Sequence, residues 1–303
     1  MSTFKITRRQ FIKQTAALAG VACLPVGTAL PATEPGKQTA ADQVLLGKTG
    51  LKISRLGIGT GSDSGRIQRA LGTDGFNRLI RYAYDQGITY IDTADGYKTH
   101  TWIREAIKGL PREKLFIQTK IPGNPEQPLE VLDRYRQELG TDYLDSVLIH
   151  CKTRANWNET HQGLMEALEA AKAKQIIRAH GVSCHSLPAL IQATRLDWVD
   201  VNLVRINPQG VQIDTNVVTV FDDSNPSHVP AVVEQIKRMH HNKHGVIGMK
   251  IIGNGSFIRR EDREKSIRFA MQPGLVHSIV IGFKSTAEID EAIEHINRAL
   301  AES

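Results

Sequence analysis

Apolar runs of four to six residues recur along this chain, each shaped like a β-strand and each followed by a stretch of helical periodicity. The strand-like runs are Arg55–Gly59, Thr89–Asp92, Leu115–Lys120, Ser146–His150, Arg178–Ser183, Val199–Val204, Val246–Lys250 and Ser278–Gly282. Between them, apolar positions return every three or four residues, as in Gly75–Gln86, Leu129–Glu138, His161–Ala173 and Glu288–Leu300. Eight strands alternating with helices, with no shift in composition, predict an α/β fold: a parallel sheet closed into a single (β/α)8 barrel. Gln43–Lys52 reads as a short N-terminal hairpin around Thr49-Gly50. An open doubly wound sheet is the alternative. Against it, the first strand ends Gly57-Ile58-Gly59-Thr60-Gly61, with no GxGxxG and no ribose-binding acid downstream.

Two segments break the rhythm. Gly210–Ser227, with Asp222-Asp223 and Asn225-Pro226, is a long loop after the sixth strand and a candidate substrate wall, as is Trp157. Gly253-Asn254-Gly255-Ser256 follows the seventh strand, where backbone amides can approach a pyrophosphate closely.

The chain has 303 residues, and its first 41 do not share the alternation. They open with Thr7-Arg8-Arg9-Gln10-Phe11-Ile12-Lys13, continue through an Ala/Gly-rich run from Thr15 to Leu30, and end in a polar stretch to Ala41. A charged start, a short apolar middle and a small-residue end define an export signal, and the paired arginines resemble a bacterial twin-arginine signal. A disordered basic arm or an uncleaved anchor is the alternative, but the apolar run falls short of the roughly 20 residues a span needs. Residues 1–41 are therefore expected to be a twin-arginine signal peptide, and 42–303 the barrel, soluble in the periplasm. Ala32 and Ala41 are both candidate last residues of the signal. Lys5, Arg8, Arg9, Lys13 and Lys37 against Glu34 supply +4 of the formal net charge of +6. What remains holds no basic stripe with interleaved aromatics, so nucleic acid is not an expected partner.

Asp92, Tyr97, Lys120 and His150 fall at or just past the ends of the second, third and fourth strands, where barrels of this kind build their chemistry. Taken singly, each has a plainer role. Asp92 would cap a helix, Tyr97 would be a packed aromatic, Lys120 a solvated strand end and His150 a core histidine. Together they supply what carbonyl reduction needs. Tyr97 would be the general acid and base, Lys120 would lower its pKa, Asp92 would orient Lys120, and a neutral His150 would aim the carbonyl.

The order, spacing and flanking residues of these four resemble the aldo-keto reductase family. Leu45-Leu46-Gly47-Lys48-Thr49-Gly50-Leu51-Lys52 resembles its opening hairpin, and Asp92-Thr93-Ala94, Gly181-Val182-Ser183, Gly248-Met249-Lys250 and Ile281-Gly282-Phe283-Lys284-Ser285 its strand-end motifs. The likeness implies reduction of an aldehyde or ketone by hydride from NADPH, with NADH as the alternative. It implies a cofactor-binding set of Gly59, Thr60, Ser183, Cys184, Met249, Lys250, Gly253, Phe283, Lys284 and Ser285. Lys284 and Ser285 would meet the 2′-phosphate.

The departures concentrate on the cofactor. Cys184 stands where an asparagine is common, Leu203 for a glutamine, Met249 for an aromatic, Glu288 for an arginine and Ala292 for an asparagine. Gly61 stands for an aromatic after the first strand, and Lys98 for the glycine after the tyrosine. A competing reading follows: a nucleotide-binding barrel without turnover, serving in the periplasm as a sensor or subunit. As an exported enzyme, the chain would carry its cofactor out with it through the twin-arginine machinery and rely on a separate redox partner.

Cys151 and Cys184 follow neighbouring strands, about 4.8 Å apart in a sheet. In an oxidising compartment they would pair or sense redox state; otherwise they are two buried reduced thiols. His150, Cys151, Cys184 and His185 do not make a metal site, because alternation points adjacent residues to opposite faces. His240, His241 and His244 near the end of a basic helix complement its dipole.

Overall fold

A computed structural model describes residues 37–218 and 224–302. The leader as far as Gly36, and Asp222-Asp223 of the long loop, lie outside the described residues. Ten strands follow in chain order: β1 (Gln43–Leu45), β2 (Lys52–Ser54), β3 (Leu56–Gly59), β4 (Tyr90–Asp92), β5 (Phe116–Ile121), β6 (Leu144–Lys152), β7 (Ile177–Cys184), β8 (Val201–Arg205), β9 (Gly245–Met249) and β10 (Ser278–Ile281). β3 to β10 form a closed parallel barrel, with β10 pairing both β3 and β9. The barrel strands agree with the alternation to within a few residues, and β1 and β2 form the antiparallel hairpin. Among the described residues, no helix is long and apolar enough to cross a membrane.

The period-2 alternation of a strand sends successive side chains to opposite faces, and the packing divides accordingly. Ile91, Ile117, Val147, Ile149 and Val182 join the large outer cluster under the helices. Tyr90, Phe116, Leu148, Ala179, Val201, Leu203, Ile247 and Val280 fill the lumen. The hairpin closes one end of that lumen with Leu46, Leu51 and Ile53. Filling the lower lumen with apolar side chains leaves the following inward positions, nearer the C-terminal strand ends, for polar groups. Parallel register then fixes their neighbours: Tyr90 pairs with Phe116, Asp92 with Gln118, and Lys120 with Leu148.

The wall begins before β1. Ala40 is buried; its N–H donates to Asn297 Oδ1 at 2.8 Å and its carbonyl accepts from the Leu56 N–H at 3.1 Å. Ala40 and Ala41, which the sequence assigns to the leader, are thus continuous with barrel packing.

At the start of β6, buried Asp145 ties three elements together. It accepts from Arg112 (2.7 Å), from the Ile117 N–H (2.9 Å) and from Arg178 (2.8 Å). Removing a partner from a buried pair costs about 3–5 kcal/mol, and partial solvation of both arginines reduces that here. Asp145→Ala is expected to cost about 2–3 kcal/mol in urea unfolding. A change under roughly 0.5 kcal/mol, the range of an ordinary surface substitution, would refute the clamp.

Candidate active site

The lumen's upper layer is built around Lys120. Its ammonium carries three donors, and all three are spent: 2.8 and 2.7 Å to the two oxygens of Asp92, and 2.8 Å to the Thr93 carbonyl. Lys120 is 1% exposed and Asp92 is also buried. Asp92 is held from its other side by Gln118, whose amide donates to it at 2.9 Å and to the Tyr90 hydroxyl at 2.9 Å. Tyr90 donates in turn to Asp92 at 3.4 Å. Gln118 and Tyr90 do not stand out in the sequence. Alternation is the signal that finds them, since each lies two residues before Lys120 or Asp92 on the same face.

Tyr97 is presented by a one-turn 3-10 helix, Asp95–Tyr97, that ends on Lys98 in the left-handed conformation (φ 57°). That conformation explains a glycine preference here, and Lys98 meets it at a steric cost. The Tyr97 carbonyl accepts from the Arg69 guanidinium. The ring lies against Gly61, where a Cβ would sit 2.5 Å from Cζ and 2.9 Å from the hydroxyl. An aromatic at position 61 is therefore incompatible with this placement of Tyr97. The Tyr97 hydroxyl lies 3.5 Å from His150 Nε2, and the two rings meet edge to face. Lys120 Nζ lies 5.0 Å from the centre of the Tyr97 ring.

The four expected residues thus share one site, but one electrostatic expectation is overturned. Lys120 does not make Tyr97 acidic. Burial and the Asp92 carboxylate push the phenol well above its ordinary value. The ammonium is neutralised by Asp92. His150 behaves as expected: burial, then the charges of Lys120 and Lys152, depress it from 6.5 to about 3, which leaves it neutral.

The expected cofactor set is less uniformly placed. Thr60 is fully enclosed, and its hydroxyl is committed to the Asp92 carbonyl (3.0 Å) and to Thr99 (2.9 Å), so it holds the site's frame. Phe283 packs in the outer core and Cys184 is a buried thiol, so neither side chain offers a ligand surface. Gly59 is buried, packed beside Val280 and Gly282. Ser183 is buried at the end of β7 and accepts from the Cys151 N–H at 3.1 Å. Met249 ends β9 half-buried; Lys250 follows with φ 62° and donates to Asn254 at 3.1 Å. Gly253 opens a short turn at φ 57°. Ser285 caps the helix Thr286–Ala301, accepting from the Glu288 N–H, while the Glu288 carboxylate accepts from the Lys284 N–H at 2.7 Å and lies 3.9 Å from its ammonium. A carboxylate of the chain itself occupies the cationic spot expected for a phosphate.

Two other expectations change, those for Trp157 and His244, while the cysteines keep the reading of two reduced thiols. Trp157 is core rather than pocket wall: it is buried, donates to the Ala189 carbonyl and packs on Trp198. His244 is buried and held at about 4, so it is neutral and adds nothing to the helix dipole. Cys151 and Cys184 are free thiols, with Cys151 Sγ 3.5 Å from His185 Nε2. Among the described residues, no group of three or more His, Cys, Asp or Glu is placed to hold a metal.

Cations crowd this end of the barrel. Burial raises the Cys151 thiol, and Lys120, Lys250, Lys152 and Arg205 all pull against that. Two of these charges are balanced within the fold, Lys120 by Asp92 and Arg205 by the buried Asp214.

A model of the aldo/keto reductase family matches residues 55–303. The chain belongs to the aldo/keto reductase family. Aldo-keto reductase family 1 member A1 of Rattus norvegicus is 31% identical over 201 residues, 57% of each chain. An NAD/NADP-dependent indole-3-acetaldehyde reductase of Schizosaccharomyces pombe is 29% identical over 169 residues, 52% of this chain and 57% of that protein. The chain spans about half the length of the curated relatives it matches. Among solved structures, a Bacillus halodurans aldo-keto reductase in its holo form superposes with a TM-score of 0.66 at 18% identity, covering 86% of this chain and 95% of that one. A Klebsiella pneumoniae aldo-keto reductase in complex with NADPH gives 0.59 at 19% identity, covering 85% and 89%. At those identities the superposition establishes the barrel.

A depressed histidine carries a pH signature. Because the folded value of His150, about 3, lies below the ordinary 6.5, its contribution to stability is complete above pH 6.5 and is lost as pH falls toward 3. In an NMR titration the His150 imidazole is expected to stay neutral from about pH 7 to pH 5. A midpoint near 6.5 would contradict the burial argument.

Proposed function

We propose that this aldo/keto reductase reduces an aldehyde or ketone to an alcohol, with hydride from a nicotinamide dinucleotide and a proton from Tyr97. The observation that carries the reading is the Tyr97 hydroxyl 3.5 Å from His150 Nε2, above the buried Lys120–Asp92 pair. A carbonyl oxygen placed between these two groups would receive two donors. Neutral His150 orients and polarises it without adding charge, and Tyr97, held in its protonated form, delivers the proton. The phenolate left behind would have Lys120 Nζ 5.0 Å from its ring centre, a charge that Asp92 largely balances.

When bound, the cofactor supplies the hydride. The residues that fit it are Ser183 for the carboxamide, Met249 for the nicotinamide face, and Lys250 with the Gly253 turn for the pyrophosphate. NADP is the proposed cofactor, with Lys284 and Ser285 as its phosphate partners and NAD as the alternative. Glu288, already seated on Lys284, weighs toward NAD. The same carboxylate, together with apolar Leu203 in the lumen, supports the second reading of a nucleotide-binding barrel without turnover.

Tyr97→Phe separates the two. For a reductase it should lower kcat/KM by about 10²–10⁴-fold with the fold intact. If wild type and variant are equally inert toward a broad carbonyl panel with both NADPH and NADH, the reductase reading fails.

We further propose export to the periplasm by the twin-arginine route, with the cofactor bound before translocation and a separate partner re-reducing it. The pair Arg8-Arg9 and the apolar run after it support this reading. Cleavage after Ala32 would spare the bonds of Ala40, whereas cleavage after Ala41 would remove them. Replacing both Arg8 and Arg9 by Lys should keep the protein in the cytoplasmic fraction; equal export of both forms would overturn the route.

A further inference from the structure

Tyr97 sits on a turn that its own sequence does not secure. The 3-10 helix Asp95–Tyr97 has no side-chain cap and ends on Lys98 in the left-handed conformation. Hydrogen bonds in such turns are poorly aligned, and a lysine at positive φ adds a steric cost. Two backbone bonds close it: the Tyr97 N–H to the Ala94 carbonyl at 3.0 Å, and the Lys98 N–H to the Asp95 carbonyl at 3.3 Å. Neighbouring elements must supply the rest of its geometry.

One of them is the helix Pro128–Leu139, through two side chains a turn apart. Arg134 Nη1 donates to Asp95 Oδ1 at 3.0 Å and to Glu138 Oε1 at 2.8 Å. The other oxygen of Glu138 lies 2.7 Å from His100 Nδ1, which therefore carries the proton. His100 Nε2 accepts from the Thr119 hydroxyl at 2.9 Å, so this buried imidazole is neutral and both its nitrogens are used. The Tyr135 ring completes the unit, its centre 4.8 Å from the Arg134 guanidinium carbon and 4.8 Å from the His100 ring centre. Asp95 opens the turn that carries Tyr97, and His100 opens the next helix, His100–Ala106. One arginine–glutamate pair thus grips the chain on both sides of the tyrosine.

Burial raises the Asp95 carboxyl, but the hydrogen bond and charge of Arg134 bring it below its ordinary value, so it is ionised. Lys98 Nζ is 3.7 Å from the same carboxylate, beyond hydrogen-bond length. Arg134 is 44% exposed, and exposed ion pairs contribute little to folding stability. Its directional bonds to two carboxylates can still fix geometry. Geometry is what the tyrosine needs, since a misplacement of about 1 Å can cost about 10²-fold in rate.

We propose that Arg134 is a positioning residue for Tyr97: braced by Glu138 and His100, it holds Asp95 and so sets the hydroxyl beside His150. The kinetic consequence rests on the reductase reading above; the restraint itself does not.

The test measures benzaldehyde reduction with NADPH and NADH, together with urea unfolding. Arg134→Met should lower kcat by about tenfold or more, with KM within about twofold and the unfolding midpoint close to wild type. Arg134→Lys should restore part of the loss. Combining Asp95→Asn with Arg134→Met should be no slower than the slower single variant, because both break one bond. An unchanged kcat, a loss confined to KM, or single losses that multiply in the double variant overturns the proposal. Should Arg134→Met not fold, Asp95→Asn is read by the same kinetic criteria. If wild type reduces no aldehyde, the reductase reading has failed, and amide hydrogen exchange decides the restraint alone. Exchange at Tyr97 and Lys98 should then quicken about tenfold or more in Arg134→Met while Ile117 and Val147 in the barrel strands are unchanged. Equal exchange in both proteins, or a uniform increase across the barrel, sinks it.

Discussion

A buried ammonium held by a buried carboxylate organises this barrel's working end. Lys120 and Asp92 come from adjacent strands, and neither tolerates the lumen without the other, because a lone charge there would lack both water and a counter-ion. The pair does more than cancel charge. Lys120 also grips the Thr93 carbonyl, the first residue after β4, and so anchors the start of the segment that carries Tyr97. Thr60, just after β3, braces that segment through the Asp92 carbonyl and Thr99, and Gln118 and Tyr90 fix the carboxylate from below. The segment that presents Tyr97 is thus anchored at its start by the ion pair.

That arrangement changes how Tyr97 is understood. A lysine near a tyrosine suggests an acidified phenol, yet an ammonium saturated by its own carboxylate has little left to give a neighbour. Burial then dominates, and the phenol rests protonated. For carbonyl reduction this is the state the proton donor needs. Lys120 acts by holding Asp92 and the Thr93 carbonyl in place rather than by shifting the tyrosine's equilibrium. The neutrality of His150 has the same origin: low solvation and surrounding cations oppose a second positive charge.

Position 61 shows how a local departure is tied to the site. Glycine there leaves the space into which the Tyr97 ring fits, so the ring and a side chain at 61 exclude each other. Glu288 is a similar case. As a residue type it predicts repulsion of a phosphate; in the fold it goes further and binds the amide and ammonium that a phosphate would use.

The barrel and its four central residues were legible in the chain alone, for a physical reason. Strand alternation is a one-dimensional pattern, and a residue's place at a strand's C-terminal end follows from counting. Asp92, Lys120 and His150 could be assigned to one end of the barrel without coordinates. Counting says nothing, however, about which donors are already spent, and that is where Thr60, Cys184, Phe283 and Trp157 departed from expectation. Their side chains are consumed by contacts with residues far away in the chain. The protonation of Tyr97 and the seat taken by Glu288 depend likewise on burial and on distances between strands and loops. Those quantities exist only once the sheet has closed, because desolvation and charge pairing are properties of the space a residue shares and not of its place in the order.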